Sequence, residues 1–135
     1  MTTCYALRLK PGQDLKQSLK MFAQEHQIQA GFIITAIGSL QQAKLRFADQ
    51  PDSTELKDKF EILALNGTLS VHGMHLHMML GDRTGATLGG HLDYGCLIYT
   101  TAEIVIGTQN HWIFRREPDE ATGFLELKIT ALNNS

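Results

Sequence analysis

The sequence predicts an α+β fold: a single domain, residues 1–135, with a mainly antiparallel β-sheet of about seven or eight strands and one main helix. Three observations carry this. One segment repeats apolar residues at helical spacing, at Leu15, Leu19, Phe22 and Ala23, and His26 continues the spacing. Most of the rest alternates, or runs as short apolar stretches rich in β-branched residues between turn formers. No repeat, linker or low-complexity segment divides the 135 residues, a length that buries roughly two thirds of the unfolded surface.

The elements follow in order. "CYALRLK" alternates, with Tyr5, Leu7 and Leu9 on one side, and "PGQ" ends it. Asp14 is placed to N-cap a helix over residues 15–27, with Gln17 completing a weak capping box. His26, near the helix end, reads as a solvated residue compatible with the helix dipole. "FIITAIGSL" is a buried strand interrupted near Gly38, and "AKLRFA" alternates again. "QPDSTELKDK" is a polar loop. "FEILALNGTLSVHG" offers two apolar runs around Asn66-Gly67, the strongest short hairpin signal. "CLIYTTAEIVIG", "HWIFRR" and "FLELKITAL" add strands separated by turn residues.

Composition narrows the function. Apolar residues make up 43% and charged residues 19%, the composition of a globular protein rather than a disordered one. Lys and Arg number 12 against 14 Asp and Glu. That balance argues against strong, autonomous nucleic-acid binding, which draws its affinity from excess positive charge. The longest basic run, Arg115-Arg116, is followed by Glu117, Asp119 and Glu120 and reads as a solvated turn. Cys4 and Cys96 lie far apart with no CxxC spacing, as expected of reduced thiols in a cytoplasmic protein. The start has no apolar signal region, and no apolar run approaches the roughly 18 residues of a membrane span.

The stretch from His72 to Gly95 holds four of the six histidines and six of the twelve glycines. "HLHMML" alternates strictly, so His75, His77 and Met79 share one face, and Leu76, Met78 and Leu80 the other. The leucine face belongs on the core. "GDRTG" carries turn chemistry. A hairpin centred on Arg83 pairs Leu80 with Ala86, His77 with Gly89 and His75 with His91. Opposed Cβ atoms stand about 4.5–5.5 Å apart, so three imidazoles cluster with a glycine between them. Such a set suits Zn²⁺, or another divalent transition metal such as Ni²⁺ or Fe²⁺. The competing reading is a set of hydrogen-bonded histidines at a subunit contact. His72 has the opposite parity and reads as structural, and His111 as a turn residue. Gly89, Gly90 and Gly95 permit close backbone approach, at a metal pocket or at a subunit contact. Glu103, inside an apolar strand, either supports a histidine from behind or faces solvent at an edge.

"GMHLHMML", "GGHLDYGCLIYTTAEIVIG", "KFEILALNGTLS" and "FRREPDEATGFLEL" together resemble the PPC domain, named for plants and prokaryotes, as does the opening "LRLKPGQDLKQSLKMFAQEHQIQAGFIITAIGSL". The resemblance spans nearly the whole chain. It implies a stand-alone prokaryotic-type member, an antiparallel-rich sheet packed with helix, assembly as a homotrimer, and an association with DNA described chiefly for plant members. In those members the domain accompanies AT-hooks; no "RGRP"-like arm occurs here. The plant partner-binding segment "GRFEIL" reads "DKFEIL" over Asp58–Leu63, which makes Lys59, Phe60 and Glu61 the corresponding partner contact. Some stand-alone members carry a metal at the histidine cluster, which by resemblance falls on His75, His77 and His91.

The leading expectation is therefore a homotrimeric, DNA-associated or regulatory binding module with a histidine-lined transition-metal site. The alternative is a metal-dependent enzyme, or a metal- or small-ligand-binding protein, acting on a small molecule. "HLH" resembles the HxH pair of cupins, yet Met79, Leu80, Gly81 and Asp82 stand where a glutamate would follow. No GxSxG, P-loop or HExxH appears, so no catalytic residue is nominated and a binding role is favoured over catalysis.

Overall fold

The computed structural model describes residues 2–133. Strand β1 (Thr2–Leu9) turns into helix α1 (Leu15–Glu25). Asp14 starts the helix as its sequence position suggests. Its Oδ1 accepts the Gln17 amide at 2.9 Å, satisfying one of the orphan donors of the first turn. Its Oδ2 accepts the Gly95 amide at 2.6 Å, so one carboxylate both begins the helix and ties it to a distant turn. Leu15, Leu19 and Ala23 form the buried face and join Leu40, Leu45, Leu80, Ile98, Ile104 and Ile106 in one core. The helix ends at Glu25, two residues before the predicted limit, with His26 as its C-cap. His26 is exposed, as its position suggests, and its ring also stacks on Phe22 with centroids 4.0 Å apart.

Strand β2 (Gly31–Arg46) is one strand where the sequence suggested two. Register shifts at Ile33/Thr35, Gly38/Leu40 and Leu40/Gln42 bend it without ending it. At Gly38 a Cβ would lie 2.2 Å from the Thr101 carbonyl oxygen, so the glycine marks a close strand approach. The expected polar loop contains a short strand, β3 (Thr54–Leu56), paired with β2.

Strands β4 (Phe60–Ser70) and β5 (Gly73–Gly81) correct a second expectation. No turn forms at Asn66-Gly67. The turn falls at Val71-His72, and Ser70 pairs with Gly73. Gly67 has φ of 137°, and a Cβ there would lie 2.0 Å from the His75 carbonyl oxygen. The Asn-Gly pair thus serves a tight ladder, and Asn66 stays opposite His77.

Strands β6 (Thr87–Leu92), β7 (Leu97–Gln109), β8 (Trp112–Pro118) and β9 (Leu125–Ala131) complete the chain. Every pairing is antiparallel. The main sheet has the order β1-β7-β2-β4-β5-β6, with β3 as its seventh strand. The far end of β2 also pairs with β6, through Leu45 with Leu92 and Arg46 with His91. Strands β2, β4, β5 and β6 therefore close into a ring, which leaves no free edge on that side. Leu45, Leu65, Leu76, Met78, Leu80 and Leu92 are buried within it.

Strands β8 and β9 form a separate two-stranded ribbon. It is moored by the Phe114 amide donating to the Gln29 carbonyl at 2.8 Å and by the Ser70 hydroxyl donating to the Phe114 carbonyl at 2.6 Å. Arg115-Arg116 lies in β8, not in a solvated turn. Arg116 Nη2 donates to Thr68 Oγ1 at 3.0 Å. His72 sits in the β4–β5 turn with Nε2 3.3 Å from Gln29 Oε1, and His111 sits in the β7–β8 turn.

Gly67→Ala should destabilise the protein by about 2 kcal/mol or more, because the added methyl meets backbone and the residue keeps a positive φ. Chemical denaturation measures this. A midpoint unchanged from wild type would show that the β4–β5 ladder is not as tight as described.

Candidate metal centre

Strand β5 alternates as read: Leu76, Met78 and Leu80 are buried, while His75, His77 and Met79 are exposed. The register across the next hairpin differs. His77 pairs with His91, Met79 with Gly89 and Leu80 with Leu88, so the hairpin centres on Thr84 rather than Arg83. The reason is the Asp82 carboxylate. Its Oδ1 accepts from the Thr84 amide at 2.8 Å, the Thr84 hydroxyl at 2.7 Å and the Ala86 amide at 3.0 Å, which fixes a loop from Asp82 to Ala86. Relative to the expected pairing β6 has moved by two residues. Two is the side-chain period of a strand, so every residue keeps its face.

His75, His77 and His91 come together. Ring centroids are 4.8 Å apart for His75–His77, 5.2 Å for His75–His91 and 5.7 Å for His77–His91. One donor nitrogen from each ring lies within 4.8 Å of the others. His75 Nε2 and His77 Nε2 stand 3.1 Å apart, close to the roughly 3.3 Å that two nitrogens span on a tetrahedral zinc with bonds near 2.05 Å. The third separation needs a closing movement of under about 2 Å, within reach of ring rotation. His91 Nδ1 is buried without a hydrogen-bond partner, an unusual state for a ring nitrogen and one that a bound cation would relieve. The donor set therefore fits a borderline divalent metal.

The electrostatics favour neutral ligands. Burial is the first cause that lowers the pKa of His91, to about 4, and the nearby Arg46 guanidinium is the next. Burial likewise lowers that of His75, followed by the Arg116 guanidinium. Both rings are therefore unprotonated at neutral pH, the state a metal requires.

The elements around the triad add residues that local patterns could not nominate. Arg46 stands opposite His91 through the β2–β6 closure. Asn66 and Thr68 stand opposite His77 and His75 on β4. The false hairpin at Asn66-Gly67 had removed both from this face, and no short-range signal announces a pairing between β2 and β6. The alternation of "AKLRFA" does mark Lys44 and Arg46 as sharing a side.

The other candidates separate. A Cβ on Gly89 would lie 2.9 Å from the Met78 carbonyl oxygen, and one on Gly90 2.8 Å from that of Arg46. Both glycines thus serve strand approach, and they also line a hollow of about 420 Å³ beside His77 and His91. Gly95, with φ of 104°, occupies the turn before β7. Glu103 is exposed on β7 between Arg8 of β1 and Ile37 of β2, facing a hollow that the triad does not line. Lys59, Phe60 and Glu61 border an open hollow of about 860 Å³ on another part of the surface. Phe60 itself is in the core, while Lys59 Nζ sits 4.5 Å from the centre of the Tyr99 ring.

Comparison with known proteins gives concordant results. A model of the Plants and Prokaryotes Conserved (PCC) domain matches residues 1–110. Two curated relatives from Synechococcus strains, each named bifunctional protein GlmU, are 56% and 55% identical over 125 residues. The aligned region is 93% of this chain and 20% of theirs, so the chain spans about one fifth of their length. A hypothetical protein from Salmonella cholerae-suis superposes with a TM-score of 0.95 at 42% identity, covering 97% of this chain and 95% of that one. A metal-containing protein from Archaeoglobus fulgidus superposes at 0.81 with 29% identity over 93% of each chain.

The folded pKa of His91, about 4, lies below its unfolded value of 6.5, so the unfolded chain takes up this proton first as pH falls. In the metal-free protein the stability His91 supplies should be complete above pH 6.5 and lost between 6.5 and about 4. NMR titration of the imidazole should give a midpoint near 4. A midpoint near 6.5 would mean that the ring is not held in the buried position described.

Proposed function

Because the chain belongs to the Plants and Prokaryotes Conserved (PCC) domain family, we propose that it is a binding module that holds a divalent transition metal, zinc first, on His75, His77 and His91. The observation that carries this reading is the convergence of one donor nitrogen from each of the three rings within 4.8 Å. The metal-containing relative from Archaeoglobus fulgidus supports it. Three protein ligands leave a coordination position for water or another ligand. When bound, such a metal supplies Lewis acidity. The histidines orient it, and burial of His91 keeps its ring in the donor state.

The module is proposed to assemble as a homotrimer. Supporting this, the β8–β9 ribbon leaves Leu125, Leu127 and Ile129 exposed along one side of β9. A two-stranded ribbon is marginal alone, and a contiguous apolar stripe favours a partner surface. DNA association is proposed to be weak and regulatory in character, given the net charge of −2. The free, widely separated thiols suit a reducing cytoplasm. Among the described residues no helix is long and apolar enough to cross a membrane. The hollow of about 420 Å³ beside His77 and His91 favours a second reading, in which the metal acts on a small molecule.

Titration with zinc should give one tight site per chain in wild type. His75→Ala and His91→Ala should each weaken it by tenfold or more while the sheet stays folded. Equal binding by all three proteins would reject the site and leave the histidines as polar packing. Light scattering of the purified protein should return three times the 15.0 kDa chain mass; a monomer mass at micromolar concentration would reject the trimer.

A further inference from the structure

Register places more than the triad on its face. Arg46 of β2 pairs with His91, and His91 pairs with His77. By strand alternation Lys44 stands beside Arg46, and Asp93 beside His91. Lys16, from the first turn of α1, completes a set of three cations that line, with His91, an open hollow of about 500 Å³. The hollow of about 420 Å³ beside His77 shares Arg46 and His91 with it. His91 and Arg46 thus border two adjoining hollows of small-molecule size.

The cations are not consumed by structure. Among the described residues the ion pairs are Lys57–Glu55, Arg83–Asp58 and Lys128–Glu117; Lys16, Lys44 and Arg46 take part in none. Lys16 Nζ lies 4.6 Å from the centre of the Tyr94 ring, and Arg46 donates to the Gln50 carbonyl at 3.4 Å. Of the carboxylates that also line the hollow, Asp93 accepts from the Ser53 hydroxyl and the Tyr94 amide, both at 2.7 Å. Set against Asp52 and Asp93, which line the same hollow, the three cations leave it a net positive charge on a chain of net charge −2.

We infer that Lys16, Lys44 and Arg46 receive the phosphate group of a small phosphorylated ligand, whose remainder extends past His91 to the open position of the metal. The inference rests on the metal reading above. Phosphate is favoured over carboxylate because three cations meet a group carrying about two charges and three acceptor oxygens, and the Arg46 guanidinium forks onto such oxygens. A small ligand is favoured over nucleic-acid backbone because the hollow is only about 500 Å³ and the chain carries a net charge of −2.

The test is calorimetry with inorganic phosphate on protein loaded with one zinc per chain and freed of excess metal. Wild type should bind phosphate at least tenfold more tightly than acetate. Arg46→Gln and Lys44→Gln should each lose tenfold or more in phosphate affinity while retaining wild-type zinc stoichiometry. Variants that hold zinc and bind phosphate as wild type does would overturn the inference, as would equal affinity for acetate. If wild type takes up no zinc, the metal reading fails by itself. Phosphate binding by the metal-free protein, lost in Arg46→Gln, would then still sustain the cationic cradle, and no binding would dismiss it. A duplex oligonucleotide that displaced phosphate at physiological salt would overturn the small-ligand assignment in favour of nucleic acid.

Discussion

The closure of β2 onto β6 is the constraint on which the rest of the structure depends. A sixteen-residue strand must run between β7 and β4 and then bend far enough for Arg46 to meet His91. The bulges supply the bend, and the glycines of β6 supply the clearance. A side chain at Gly90 would collide with the Arg46 carbonyl. The glycine concentration around the histidines therefore has its first cause in backbone packing. The chemistry is a consequence: once the ring closes, the outward faces of β2, β6, β5 and β4 become one continuous strip with His91 in its middle.

That strip explains why the same residues recur in separate roles. His91 is a triad member, a half-buried ring with an orphaned nitrogen, and a lining residue of two hollows. Arg46 closes the sheet and helps keep His91 unprotonated. Cys96, by contrast, is directed inward. Its thiol donates to the Lys44 carbonyl at 3.3 Å, and burial raises its pKa to about 11. It is thus a packing group rather than a nucleophile, tied to the backbone of Lys44 on β2.

The sequence disclosed faces better than partners. Alternation in "HLHMML" assigned His75 and His77 to the outer side, and that assignment survived a two-residue error in register because parity repeats every two residues. The Asp82 loop that set the true register depends on three hydrogen bonds to one carboxylate, which composition does not reveal. Asn66-Gly67 misled for a related reason. Glycine at a positive φ is compatible with a tight turn, but also with a strand pressed against a neighbour's carbonyl, and only the neighbour distinguishes them. Arg46 and Lys16 were invisible as site residues because the contacts that recruit them span 45 and 75 positions of chain respectively, from residue 46 to 91 and from 16 to 91.

The family match ends at residue 110, just before the ribbon of β8 and β9. The ring that gathers the histidines lies wholly inside the matched region, whereas Arg116, whose charge acts on His75 and whose guanidinium grips Thr68, comes from outside it. The likeness to solved structures nevertheless runs on through the ribbon, since the Salmonella cholerae-suis protein covers 97% of this chain. A substitution confined to Arg116 would alter the charge beside His75 while leaving in place the β5–β6 ladder that pairs His77 with His91.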